Sequence, residues 1–283
     1  VGAFRGGGRG RGGAAGGGWG GLGDRELVVD RGSGTNAGDD FRSIAVTPDQ
    51  LAGLPQDFIE AHPVGTDGRV TITTDYPDVI PFMTFALDPE ARRALVMEFN
   101  NRAWPVNDAV LQELLRLRAE HAKILGFDSW ADFDAEVKMI GRGAAIGEFI
   151  DQIAAAAEEP GHRDLAVLLE RLRADRPEVN VLDRADSTFY NEVVRRERFG
   201  VDAQQVRKFF EFATVRQGLL DVTGRLFGLG YTRVQDAVSW HEDVAVYDVQ
   251  LDGTPLGRIY LDLHPREGKY KHAAQFDLVA GIR

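Results

Sequence analysis

The chain has 283 residues, of which 43% are hydrophobic and 27% are charged, and its formal net charge is −11. This balance is ordinary for a globular protein with one large or two small domains, and the acidic surface disfavours nucleic-acid binding. The absence of cysteine excludes disulfides, thiolate metal sites and cysteine nucleophiles. No apolar run approaches the roughly 18 residues that a membrane span requires. Together these features predict a cytoplasmic protein with no membrane partner.

The first 23 residues differ in composition from the rest, because 13 of them are glycine. Such a segment buries too little apolar surface to offset the entropy lost on ordering, so residues 1–23 are predicted to be disordered. Two interpretations stay open. Arg5, Arg9 and Arg11 among the glycines resemble segments that bind single-stranded RNA. GC-rich DNA translated in a wrong frame would also give mainly glycine, arginine and alanine, which would make the segment non-native.

Residues 24–46 are predicted to be a linker, and residues 47–283 to form the folded part. Thr47, Pro48 and Asp49 indicate the start of a short helix, which ends before Pro55. Two short alternating runs follow, one on each side of residues 65–68. The second run ends in VTITTDY. This pattern predicts a first β-hairpin.

Helix signals dominate the next part of the chain. Asp88 precedes a first-turn proline, and Asn107 and Ser129 are predicted to cap two further helices. A long stretch rich in alanine, leucine, glutamate and arginine over 144–175 predicts a helix that is broken near Pro160. Further helices are predicted over 187–198, 202–212 and 215–227.

A second hairpin is predicted near the end of the chain. Residues 245–251 and 259–263 alternate between apolar and polar, and Asp252-Gly253 supplies the turn. The apolar side of this hairpin needs cover, and we expect it to be loosely packed and to promote self-association. The predicted fold class is therefore mainly α with two small antiparallel β-hairpins. It lacks the βαβ rhythm of a nucleotide-binding sheet.

The histidines are the first candidates for chemistry. His241-Glu242 begins the zinc-binding pattern H-E-x-x-H, but the stretch is HEDVA, so the position of the second histidine is Ala245. The segment also enters a predicted strand, where four residues span about 13 Å and cannot share one ion. For the others, an ordinary surface or edge position is the favoured interpretation. These others are His62, His121 and His162, whereas His272 has no partner at a recognisable spacing.

Two carboxylate–histidine pairs are candidates for part of a metal site. His264 with Asp262, and His241 with Asp243, supply suitable ligand types. The favoured interpretation is a half-solvated strand, in which Leu261 and Leu263 form the apolar side and residues 262 and 264 the polar side. No serine lies in a G-x-S-x-G pattern. The residues alone therefore predict no catalytic, cofactor-binding or metal-binding residue in this chain.

A family resemblance rests on the stretch LGRIYLDLHPREGKYKHAA at 256–274. It is similar to a motif of the thimet-oligopeptidase-like zinc metallopeptidases, which include oligopeptidase A and dipeptidyl carboxypeptidase. Upstream elements resemble the family in the same order, and the resemblance covers residues 47–283. Ala185 departs from the family, which usually has tryptophan there. The upstream elements are LAGLP at 51–55, TTDYPD at 73–78, LGFDSWADF at 125–133, Asp186 with Tyr190, and WHEDV at 240–244.

The resemblance implies part of a two-lobed helical catalytic domain that hydrolyses short peptides with zinc. In such enzymes a glutamate acts as general base on a zinc-bound water. The zinc-binding H-E-x-x-H helix follows the motif at 256–274, and the printed sequence does not contain it. We therefore expect an incomplete peptidase domain that binds no zinc and is inactive alone. The open alternative is a non-catalytic helical binding module on a peptidase-like scaffold.

Overall fold

The computed structural model describes residues 19–266 and 268–269. It is mainly helical with one two-stranded and one three-stranded antiparallel sheet, which confirms the predicted fold class. Two compact units are present; among the described residues one ends at Val194 and the other begins at Arg195. The described helices include none that could cross a bilayer.

The described part of the first unit is built mainly from helices, with two short strands near its start. In chain order its elements are α1 (Trp19–Asp39), β1 (Ser43–Val46), a 3-10 helix (Pro48–Leu51), α2 (Gln56–Ala61), β2 (Val70–Thr73), α3 (Tyr76–Phe85), α4 (Pro89–Asn100), α5 (Val106–Ile124), α6 (Trp130–Ala135), α7 (Gly143–Asp175) and α8 (Arg184–Phe199), whose last residues belong to the second unit.

The predicted first hairpin is wrong, although strand β2 exists. Residues 56–61 form α2, and β2 pairs with β1, which places Ile44 opposite Ile72. The partner strand thus comes from the segment predicted to be a linker. Local alternation cannot identify it, because β1 and β2 pair across more than 20 intervening residues. Val70 and Ile72 are fully buried in a core that includes Phe82 and Leu95.

Helix α1 also differs from the predicted disorder and linker. Residues 1–18 lie outside the described part, but α1 begins at Trp19. Its low helix propensity is overridden by packing along α5. Glu26 accepts hydrogen bonds from Arg118 at 3.1 Å and lies 3.0 Å from His121.

Asn107 does not cap α5 as predicted. The helix begins one residue earlier, and the Asn107 amide instead donates to the Ser33 carbonyl of α1 at 3.0 Å. The Ser129 cap is confirmed, since its hydroxyl accepts from the Asp132 amide at 3.1 Å. Likewise, the Asp88 carboxylate accepts from the Ala91 amide at 2.8 Å at the start of α4. Asn107 shows that a residue suited to capping can serve a tertiary contact.

The predicted break near Pro160 is absent, because α7 runs for 33 residues with the proline inside it. Proline removes one backbone donor and crowds the preceding turn, which is a local cost. The helix is held at its C-terminal end, where Leu172 is fully buried with Phe189, Tyr190 and Val193 of α8. We infer that this packing stabilises α7 enough to offset the cost of Pro160.

The second unit is a three-stranded sheet covered by one helix. Its elements are α9 (Ala203–Arg207), α10 (Phe212–Phe227), β3 (Leu229–Arg233), β4 (Ala245–Leu251) and β5 (Thr254–Leu261), with sheet order β3-β4-β5. The second predicted hairpin is confirmed as β4–β5, with Asp252 and Gly253 both at positive φ in the turn. Strand β3 was not predicted.

The inner face of this hairpin is covered over most of its length, contrary to the prediction, although Leu251 and Leu263 are exposed. Ala245 and Tyr247 pack against Leu220 of α10 in one buried cluster. Ile259 and Leu261 of β5 join the edge of that cluster. The second unit therefore builds its own small core.

Candidate functional site

The described residues bring no three histidine, aspartate or glutamate side chains together as a metal site. Instead, the candidate histidines have separate partners. The Nδ1 atom of His241 accepts from the Asp243 amide at 3.2 Å. The ring of His264 lies 4.5 Å from that of Phe212. His272 lies outside the described residues.

His62 and His121 are two histidines of the first unit with side-chain partners. His62 follows α2 rather than lying in a strand, with Nδ1 2.7 Å from the Phe58 carbonyl and Nε2 3.1 Å from the Asp78 carboxylate. His121 lies on α5 beside Glu26. Both histidines contact one carboxylate each, which suits structural pairing.

Two charged clusters contain residues of the sequence motifs, and Asp262 is the centre of the first. Directly after β5, its carboxylate accepts two hydrogen bonds from Arg266, at 2.6 and 2.8 Å. It also accepts from the Trp240 indole at 2.9 Å and from Lys269 at 3.1 Å. These bonds, that of Arg266 first, hold the pKa of the Asp262 carboxyl far below its usual range. Asp262 therefore has no oxygen free for a metal with His264.

The same cluster joins two separate sequence motifs. Trp240 comes from the WHEDV element, whereas Arg266 and Lys269 come from the 256–274 motif. Lys269 also donates to the carbonyls of Asp262 and His264, at 2.8 and 2.7 Å, and so closes the loop after β5. The indole stacks on Tyr260 with ring centroids 5.4 Å apart. Together the two motifs hold the loop after β5 in one conformation.

Arg92 is the centre of the second cluster and is only 1% exposed. It donates to the Asp186 carboxylate at 2.6 Å and to the carbonyls of Ala86 and Ala185, at 2.6 and 2.9 Å. Its guanidinium lies 4.2 Å from the centre of the Phe189 ring. Ala185, where the resembling family usually has tryptophan, is buried against this network.

The outer side of this second cluster is closed by Arg176, which pairs with the other Asp186 oxygen. Tyr190 donates to the Asp175 carboxylate at 3.2 Å, and burial, followed by that carboxylate, raises the pKa of Tyr190. A cavity of about 270 Å³ lies against these groups. Two arginines balance two aspartates, and no described buried side-chain nitrogen or oxygen lacks a partner. The network therefore joins α4, α7 and α8 through paired, buried charges.

Asp186 and Tyr190 were predicted only through the family resemblance, and Arg92 was not predicted. One signal was present: Arg92 lies three and four residues before Leu95 and Val96, so it falls within the apolar stripe of α4. A charged residue at such a position needs a buried partner.

Comparison with known proteins identifies the family. The sequence model of peptidase family M3 matches residues 82–282, which is more than half of the chain and includes both clusters. The chain belongs to peptidase family M3. M3 relatives include the thimet-like oligopeptidase of Dictyostelium discoideum, which is 30% identical over 87% of this chain and 38% of its own length.

Two further M3 relatives show the same limited coverage. Saccharolysin of Saccharomyces cerevisiae is 30% identical over 86% of this chain and 37% of its own length. Oligopeptidase A of Escherichia coli is 27% identical over 83% of this chain and 36% of its own length. The chain thus spans little more than a third of these M3 proteins.

Proposed function

We propose that this chain is part of a zinc oligopeptidase that hydrolyses short peptides, and that it supplies scaffold rather than catalytic residues. The observation that carries the proposal is the M3 match over 82–282, together with the motif resemblance at 256–274. The relatives named as oligopeptidases support short peptides as the substrate class. A cysteine-free sequence suits the proposed cytoplasmic location.

The side chains in the described part of the chain do not fit zinc. The printed sequence has HEDVA where the zinc pattern needs a second histidine. Asp262 and Asp186, the best-placed carboxylates of the motifs, are occupied by arginine donors. We therefore assign no catalytic, cofactor-binding or metal-binding residue within this chain, and place zinc in the larger enzyme.

The test is an activity assay on the purified chain with a quenched short peptide and added zinc. We expect cleavage no faster than in a blank, because no pair of histidines is spaced to hold the ion. Cleavage that scales with protein and stops on adding a chelator would contradict the scaffold role. Oligopeptidase A serves as the positive control for peptide and buffer.

One observation favours the alternative, a non-catalytic binding module. The second unit covers its own hairpin with α10. Reading the coding DNA after codon 283 in all frames distinguishes the two. A downstream H-E-x-x-H supports the zinc oligopeptidase, whereas an in-frame stop without that pattern supports the module.

A further inference from the structure

His62 is held by two hydrogen-bond acceptors, one on each ring nitrogen. Nδ1 lies 2.7 Å from the carbonyl oxygen of Phe58, and Nε2 lies 3.1 Å from Oδ1 of Asp78. The ring is stacked on Phe58 with centroids 4.2 Å apart, and the histidine side chain is 16% exposed. The position of both nitrogens is therefore fixed by packing as well as by polar contacts.

The chemistry of these partners specifies the protonation of the ring. A carbonyl oxygen only accepts, and a neutral imidazole has a single N–H to donate. The other oxygen of Asp78 already accepts from the Thr73 amide at 2.9 Å and the Thr73 hydroxyl at 2.6 Å, as an ionised carboxylate does. Only the doubly protonated ring donates to both Phe58 and Asp78.

The charged groups around His62 agree with this arrangement. His62 lines a cavity of about 610 Å³ beside the C-terminal end of α2. The other charged residues that line the cavity are Asp49 of the 3-10 helix and Glu60 of α2. With Asp78 from α3, every charged group of these three elements that faces the ring or its cavity is a carboxylate. No cation among them opposes a positive imidazolium.

We propose that His62 and Asp78 form a proton-dependent latch that fixes α2 to the corner between β2 and α3. The protonated ring makes both hydrogen bonds, so the latch is closed at low pH. Histidine ordinarily loses its second proton between about pH 5 and 8. As the pH rises through that loss, one acceptor is left without a donor and α2 loosens. Because His62, Ile59 and Glu60 line the cavity, the wall of the cavity that α2 forms loosens with it.

The direct test is a nitrogen-15 NMR titration of the imidazole ring in the unmodified chain, from pH 5.5 to 8.5. We expect both ring nitrogens of His62 to carry hydrogen at the acidic end and one to lose it on raising the pH. Amide exchange over 58–62, corrected for intrinsic rates, should accelerate by roughly tenfold over the same range. A ring with one hydrogen at pH 5.5, or unchanged exchange, refutes the latch.

Two variants separate the latch from a general effect of pH. His62→Gln should abolish the pH response of α2, while His162→Gln, at an exposed position of α7, should retain it. Asp78→Asn can donate from its amide to a neutral His62, so we expect a singly protonated ring throughout the titration. A pH response that survives His62→Gln would overturn the assignment even if the ring itself titrates.

Discussion

At the scale of single residues, burial decides what an ion pair contributes. Arg92 and Arg93 are neighbours on α4, and each contacts an aspartate at 2.6 Å. Arg92 is almost fully buried with Asp186, whereas Arg93 is 53% exposed beside Asp183. If one partner of the buried pair is removed, water cannot take its place. In the exposed pair, water can replace the lost partner.

We therefore expect Arg92→Met to lower the free energy of unfolding by about 3–5 kcal/mol, because carbonyls and a carboxylate lose their buried donor. The matched Arg93→Met should cost only about 0–1 kcal/mol. Urea titrations followed by circular dichroism measure both. Equal losses would show that burial of Arg92 does not set its contribution.

The Asp262 cluster leads to a pH prediction of a definite sign. A carboxyl whose folded pKa is depressed stabilises the folded state above its ordinary pKa, and that stabilisation is lost as the pH falls through the lowered value. We expect Asp262 to stay ionised at a pH where ordinary aspartates, near pH 3.9, are half protonated. Carbon-13 NMR of the carboxyl checks this, and Trp240→Phe, which removes one donor, should shift the titration upward. Titration at the ordinary value would contradict the cluster.

At the scale of elements, the sequence predicted those whose signals are local. The Ser129 cap, the Asp88 start and the Asp252-Gly253 turn all depend on neighbouring residues, and all three are confirmed. The β1–β2 pair and α1 depend on contacts across tens of residues, such as Glu26 with Arg118. Period and propensity contain no information on such partners, which explains why these elements were missed.

Helix α7 allows a test of how much its proline costs. Pro160 lies in an exposed stretch of the helix, so replacing it changes the backbone more than the packing. We expect Pro160→Ala to stabilise the surrounding turns by up to about 3 kcal/mol, since it restores a donor and removes a clash. The neighbouring Gly161→Ala should add only about 1 kcal/mol. Hydrogen exchange over 156–165 measures both, and faster exchange in Pro160→Ala would contradict this.

At the scale of the whole molecule, the family could be predicted from the sequence because its motifs are contiguous. The contacts that the motif residues make could not be predicted, because they depend on where distant segments meet. Asp262 looked like a metal-ligand candidate beside His264, yet it faces Arg266 and Trp240. Its two-residue spacing from His264 contained no information on the indole 22 positions away.

The surface of α10 gives the last prediction, which concerns association of the purified chain. Its inner face covers the sheet through Leu220, but a second face exposes apolar side chains at alternating spacings of three and four. Such a continuous apolar stripe promotes contact with other molecules. We expect self-association through α10 rather than through strand β5. The stripe consists of Phe212, Val215, Leu219, Val222 and Leu226.

Adjacent leucines provide the matched test of this surface. Leu219 is 54% exposed and Leu220 is 5% exposed. Leu219→Lys should reduce association in sedimentation velocity while leaving urea unfolding nearly unchanged, because the charge stays in water. Leu220→Ala should lower the stability of the second unit by about 2–5 kcal/mol, since it opens a cavity in the core. If Leu219→Lys associates as strongly as the unmodified chain, the contact surface is not α10, and the exposed edge of β5 becomes the next surface to alter.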